Sequence, residues 1–99
     1  MKVAQIILEQ LGGRRFSAMT GAKDFLHSDD SLTFRLPSNF ATNGINAIRI
    51  THDASDTYTL KCWKVRGLNV KEIAEMPGIY ADKLRETFTR LTGLDCALG

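Results

Sequence analysis

Two segments of this chain carry residue types that bind metals or move protons: His27-Ser28-Asp29-Asp30 and His52-Asp53-Ala54-Ser55-Asp56. Neutral imidazoles and carboxylates are ligands for divalent ions, so the two segments brought together could hold one. Both also have turn composition, because Asp and Ser side chains bond nearby backbone amides, and that is the plainer account. The same residues raise the idea of a hydrolase, but no strand-to-helix elbow presents a nucleophile, and a triad is a matter of geometry. Gly12-Gly13 and Thr20-Gly21-Ala22-Lys23 invite comparison with a phosphate-binding loop. That loop needs Lys directly after its second Gly and a hydroxyl residue next. Here Ala22 intervenes and Asp24 follows Lys23, so the match fails. No catalytic residue, metal ligand or cofactor is assigned, and the expectation is a protein that is not an enzyme.

A second set is better organised. Leu32-Thr33-Phe34-Arg35-Leu36, Ala47-Ile48-Arg49-Ile50-Thr51 and Tyr58-Thr59-Leu60-Lys61-Cys62-Trp63 alternate with period two. Successive strand side chains point to opposite faces, so these segments read as a half-buried sheet. The outward set holds Arg35, Arg49 and Lys61 with the single tryptophan, Trp63, among Thr33, Thr51 and Thr59. Cations neutralise phosphates and an aromatic ring can stack a base, so this face is a candidate nucleic-acid surface. Arg14, Arg15 and Lys23 would add charge if the first strand lies nearby. The competing accounts are a solvated face kept from edge pairing by its charges, or a protein-binding anchor at Trp63.

Those residues need elements to position them. Val3, Ile6, Ile7, Leu8 and Leu11 fall at helical spacing, and Gly12-Gly13 supplies the stop. The alternation of Phe16 and Ala18 against Ser17 and Met19 predicts a strand over 15–20, ended by Gly21. Residues 22–31 are ambiguous. Strands follow at 32–36, stopped by Pro37, then at 47–51 and 57–65, with a turn at 53–56 and a loop at 39–46. Arg66-Gly67-Leu68-Asn69 reads as a hairpin turn. Asn69 with Glu72 could open a helix through a capping box, but a hairpin strand stopped by Pro77-Gly78 is favoured. Tyr80, Leu84, Phe88 and Leu91 lie on one helical face of the last element, and Gly93 ends it. With no alternation of strand and helix, the expected fold is α+β: an antiparallel sheet of four or five strands with an N-terminal and a C-terminal helix on one face. No internal repeat is evident.

Composition sets the outer bounds. Ninety-nine residues make one domain over 1–99, with an ordinary apolar fraction of 43%. The net charge of +2 is too small to imply a polyanionic partner unless the charge is clustered. Cys62 and Cys96 match no metal or redox spacing, and Cys62 lies on the inward face as a small hydrophobe. A disulfide between the two is disfavoured. No signal-peptide core or membrane span is visible, so the expectation is a reduced, cytoplasmic protein with no membrane partner. The apolar tail with Leu94 and Leu98 leaves a homodimer contact open.

Several stretches, in order, resemble a known group. Leu11-Gly12-Gly13-Arg14-Arg15-Phe16-Ser17-Ala18-Met19-Thr20-Gly21-Ala22-Lys23 is similar to the L-G-G-x-x-F-x-A-M-T-G-A-K opening of small proteins encoded by tailed phages and prophages. Leu32 to Pro37, Ser55 to Tyr58, and Ile79 through Leu94 look similar too. Members often carry a longer turn where Arg66 to Asn69 sit, which favours a hairpin and a strand over 70–75. The resemblance implies a phage context in a host bacterial cell and transfers no catalytic residue. Two functions are therefore expected in order: a non-enzymatic accessory protein that binds nucleic acid through Arg35, Arg49, Lys61 and Trp63, joined by Arg14 and Arg15, or an effector that binds and inhibits a host protein of defence or replication.

Overall fold

A computed structural model describes residues 3–37 and 41–94. Helix α1 (Val3–Leu11) and helix α2 (Arg14–Thr20) precede five strands: β1 (Lys23–His27), β2 (Ser31–Arg35), β3 (Ala47–His52), β4 (Tyr58–Arg66) and β5 (Asn69–Ile79). Helix α3 (Leu84–Thr92) closes the described chain. The strands lie in sequence order in one sheet, every neighbouring pair antiparallel. This is the α+β arrangement expected, with the helices on one face. Leu32, Phe34, Ile48, Ile50, Leu60 and Cys62 point inward and are buried against Ile7, Leu11, Phe16, Leu84 and Phe88 of the helices. No helix among the described residues is long and apolar enough to cross a membrane.

The strand expected at 15–20 is a helix instead. Over seven residues both periods fit, and the burial decides: Phe16 and Thr20, four apart, are buried, while Ala18 is exposed. Helix α2 and helix α3 end alike. Thr20 Oγ1 donates to the Phe16 carbonyl oxygen at 2.7 Å and accepts from the Ala22 amide at 3.2 Å. Thr92 Oγ1 donates to the Phe88 carbonyl oxygen at 2.8 Å and accepts from the Leu94 amide at 3.2 Å. Gly21 and Gly93 follow in the left-handed region at φ 72° and 76°. The signature F-x-x-x-T-G thus occurs twice, each time placing a Phe in the core and folding the chain back over a satisfied helix end. A Cβ on Gly93 would stand 2.5 Å from Thr42 Oγ1, and one on Gly21 would stand 2.7 Å from Pro37 Cγ.

One open stretch is resolved and two further expectations are corrected. The ambiguous stretch holds edge strand β1, whose register shifts between Lys23 and Leu26 where Asp24 takes φ 56°; the bulge erases the alternation a sequence can show. Strand β5 does not stop at Pro77-Gly78. It is an edge strand, and those residues sit where the pairing with β4 slips between Tyr58 and Leu60, a position that tolerates a missing amide donor. Tyr80 is not on the terminal helix face: it has extended backbone and is 66% exposed, and a 3-10 turn at Ala81–Lys83 precedes α3. Leu94 packs at the edge of the core; Cys96, Leu98 and part of the loop at 39–46 lie outside the described residues.

Asn46 ties the sheet together at its entry to β3. Its Nδ2 donates to the Val65 carbonyl oxygen at 2.9 Å, and its Oδ1 accepts from the Val65 amide at 2.8 Å. Its own amide donates to the Trp63 carbonyl oxygen at 3.0 Å, and its carbonyl oxygen accepts from the Leu36 amide at 2.9 Å. The side chain therefore stands in for one more peptide of ladder. Replacing it by Ala leaves the Val65 amide and carbonyl without partners, so Asn46→Ala should cost about 2–4 kcal/mol, read as a lower urea midpoint. Burial pushes the Cys62 thiol from its ordinary 9.0 up to about 12. Tyr58 is also raised, first by burial, with the Asp56 charge adding and the Gln10 hydrogen bond opposing. Both groups hold their protons in the folded state at a pH where the unfolded chain has released them. Their contribution to stability should be constant below about pH 9 and fall as pH rises towards 12, and Cys62→Ala should flatten that alkaline slope in urea titrations.

Candidate nucleic-acid interface

The outer face of the sheet carries no helix among the described residues, and its side chains run in rows set by the pairing register. One row reads Lys23, Arg35, Ala47, Trp63, Glu72 across β1 to β5, and the next reads Leu26, Thr33, Arg49, Lys61, Glu75. Arg35, Arg49, Lys61 and Trp63 are therefore one contiguous patch, as the alternation expects. Arg14 and Arg15 do not join it. They open α2, whose Phe16 ring meets Phe34 at 5.3 Å on the inner side of the sheet, so the helical segment carries them to the opposite layer. Lys23 does join, opposite Arg35.

Charge along these rows is polarised. Lys61 Nζ lies 3.0 Å from Glu72 Oε1 and 3.9 Å from Glu75 Oε2. Its cation is thus matched by β5, whose register the bulge after Cys62 sets. Lys23, Arg35 and Arg49 have no ion-pair partner among the described residues. The two arginines are nonetheless held. Arg49 Nε donates to Thr33 Oγ1 and Arg35 Nε donates to the Asn46 carbonyl oxygen, both at 3.3 Å. With Nε engaged, each guanidinium still carries its terminal amino groups as donors in a planar fork, the geometry that suits phosphate or carboxylate.

Trp63 is half-buried beside Ala47, whose small side chain leaves room for the indole. The Arg49 guanidinium carbon lies 5.9 Å from the ring centroid and Lys61 Nζ lies 5.6 Å from it. The ring is thus a wall against which cations are oriented rather than a bare stacking platform. Sequence reasoning missed Asn46 and the two glutamates. Asn46 reads as part of a loop, and Glu72 and Glu75 fall on either side of a bulge that breaks their period.

The His-Asp segments fare differently. The turns bearing them lie at the same end of the sheet, where the His52 amide donates to the Asp30 carbonyl oxygen at 2.7 Å. No group of three or more His, Cys, Asp or Glu side chains gathers there or elsewhere among the described residues. His52 Nε2 contacts Asp56 Oδ1 at 2.8 Å, and Asp53 Oδ2 accepts from Thr59 Oγ1 at 2.7 Å, so the side chains of the second segment hold its own turn and the strand that follows it. A cleft of about 310 Å³ beside His52 is lined also by Gln10, Asp56 and Tyr58. No family model, no curated protein and no solved structure matches this chain.

The cations around the single indole make a direct check. Iodide should quench Trp63 emission more efficiently than caesium, because the local field attracts anions. Arg49→Ala should lower that ratio roughly twofold while changing stability by less than about 1 kcal/mol, since the side chain is exposed. Equal ratios in the two proteins would place Arg49 away from the ring in solution.

Proposed function

We propose that this chain acts without chemistry of its own, as a small accessory protein that binds nucleic acid through the outer face of its sheet. The observation that carries the reading is the pair Arg35 and Arg49: two guanidiniums anchored through Nε, with no carboxylate partner and no covering helix among the described residues. Lys23 extends the patch and Trp63 stiffens it. Phosphate is the matching ligand, because planar forks accept its oxygens bidentately and displaced counterions favour association. Lys61 contributes less than its charge suggests, since Glu72 and Glu75 already oppose it. The resemblance of the opening motif to a phage and prophage group fits such a role in a host bacterial cytoplasm.

A protein partner, such as a host defence or replication component, is the second reading. It is favoured by the two glutamates at one side of the patch and by Leu26, 61% exposed on the same face. Fluorescence anisotropy with labelled DNA and RNA at two salt concentrations separates the two. A nucleic-acid binder should weaken with salt, and Arg35→Ala and Arg49→Ala should each reduce the log–log salt slope by about one. Glu72→Gln should strengthen binding by releasing Lys61. No binding at low salt, with retention of a host protein in a pull-down, would favour the second reading.

A further inference from the structure

The β4–β5 hairpin outruns the core it belongs to. The last inward pair with a fully buried member is Cys62 opposite Ala74; every residue from 66 to 72 is exposed. Gly67 heads the two-residue turn at φ 56°, as a type II′ hairpin takes, and Leu68 stands at its apex with 102% exposure. Val70, 63% exposed, pairs with Val65 on the outer side of the ribbon. On the other side Lys64 faces Lys71 directly, with Arg66 next along the strand. None of these cations has an ion-pair partner among the described residues. The Lys64 side chain lies back along Gly44, away from its partner, but a bare leucine at a turn is locally unfavourable and no packing among the described residues compensates for it.

We propose that this hairpin is an arm that enters the major groove of duplex DNA, with Leu68 against the base edges and Arg66 and Lys71 on the flanking phosphates. The inference rests on the nucleic-acid reading of the outer face and adds to it the duplex form and a second contact. Size and chemistry carry it. Beyond the Lys64–Lys71 pair the ribbon runs on by roughly 10 Å at about 3.3 Å per residue. The major groove is about 8.5 Å deep and 12 Å wide, and it admits a two-stranded ribbon whose apolar tip can meet a thymine methyl. An anionic membrane would take up one leucine only marginally, because durable anchoring needs far more buried hydrocarbon.

Anisotropy with a 20-base-pair DNA duplex, its single strand and a matched RNA duplex tests the arm. Leu68→Ser and Arg66→Ala alter exposed residues, so circular dichroism and urea midpoints should match the parent chain. Each should weaken DNA-duplex binding roughly tenfold and leave single-strand binding unchanged. The RNA duplex, whose major groove is too deep and narrow to enter, should show no loss with either substitution. Arg49→Ala, by contrast, should weaken all three. Unchanged duplex binding by Leu68→Ser and Arg66→Ala overturns the arm while leaving the outer face intact. Loss with Leu68→Ser but none with Arg49→Ala keeps the arm and overturns the outer face. If the parent chain binds no DNA, or if Leu68→Ser loses only binding to phosphatidylserine vesicles, the arm is overturned as a groove reader.

Discussion

The fold depends on three phenylalanine rings that meet from three elements. Phe16 of α2 stands edge-on to Phe34 of β2 at 5.3 Å and to Phe88 of α3 at 5.2 Å. Phe34 and Phe88 close the triangle at 6.2 Å. All three rings are fully buried, and this edge-to-face geometry adds to the area they remove from water. The contact fixes both short helices over the inner side of the sheet. Helices of seven and nine residues would not persist alone, so packing rather than propensity makes them helices. The repeated Thr-Gly ending follows from the same need: each helix must stop soon after its Phe, with its last backbone groups satisfied, so that the chain can turn away.

Committing every described helix to one side leaves the other side of the sheet for contact. There the strand register does the arranging. Direct cross-strand pairing sets Arg49 between Thr33 and Lys61, and Ala47 between Arg35 and Trp63. Thr33 and Asn46 hold the guanidiniums, and the glutamates of β5 match Lys61, so the usable positive charge shifts towards β1, β2 and β3. A modest net charge of +2 becomes directional through this layout. Asn46 links the two levels, because its side chain completes the sheet at Val65 while its carbonyl oxygen anchors Arg35.

Much of this was legible in the chain. The alternation around Phe34, Ile48 and Leu60 identified the three central strands and their buried sides, because three segments repeat the same alternation and turn or loop residues separate them. It also placed Arg35, Arg49, Lys61 and Trp63 together. The segment around Phe16 was misread because helix and strand periods coincide over so few residues. Strand β1 and the far end of β5 stayed obscure because bulges at Asp24 and near Pro77 break the pattern on which recognition relies.

By itself, then, the sequence determined the α+β class, the central strands, the turn at Gly67-Leu68 and the existence of a basic outer set. These follow from local periodicity and turn chemistry, which act between near neighbours along the chain. Only the tertiary structure decided which outer-face cation pairs with the glutamates, that Arg14 and Arg15 lie in the other layer, that Asn46 belongs to the sheet, and that the His-Asp turns lie at one end of it. Each of those depends on the register and layering of distant segments, where a one-residue bulge exchanges the side chains that meet.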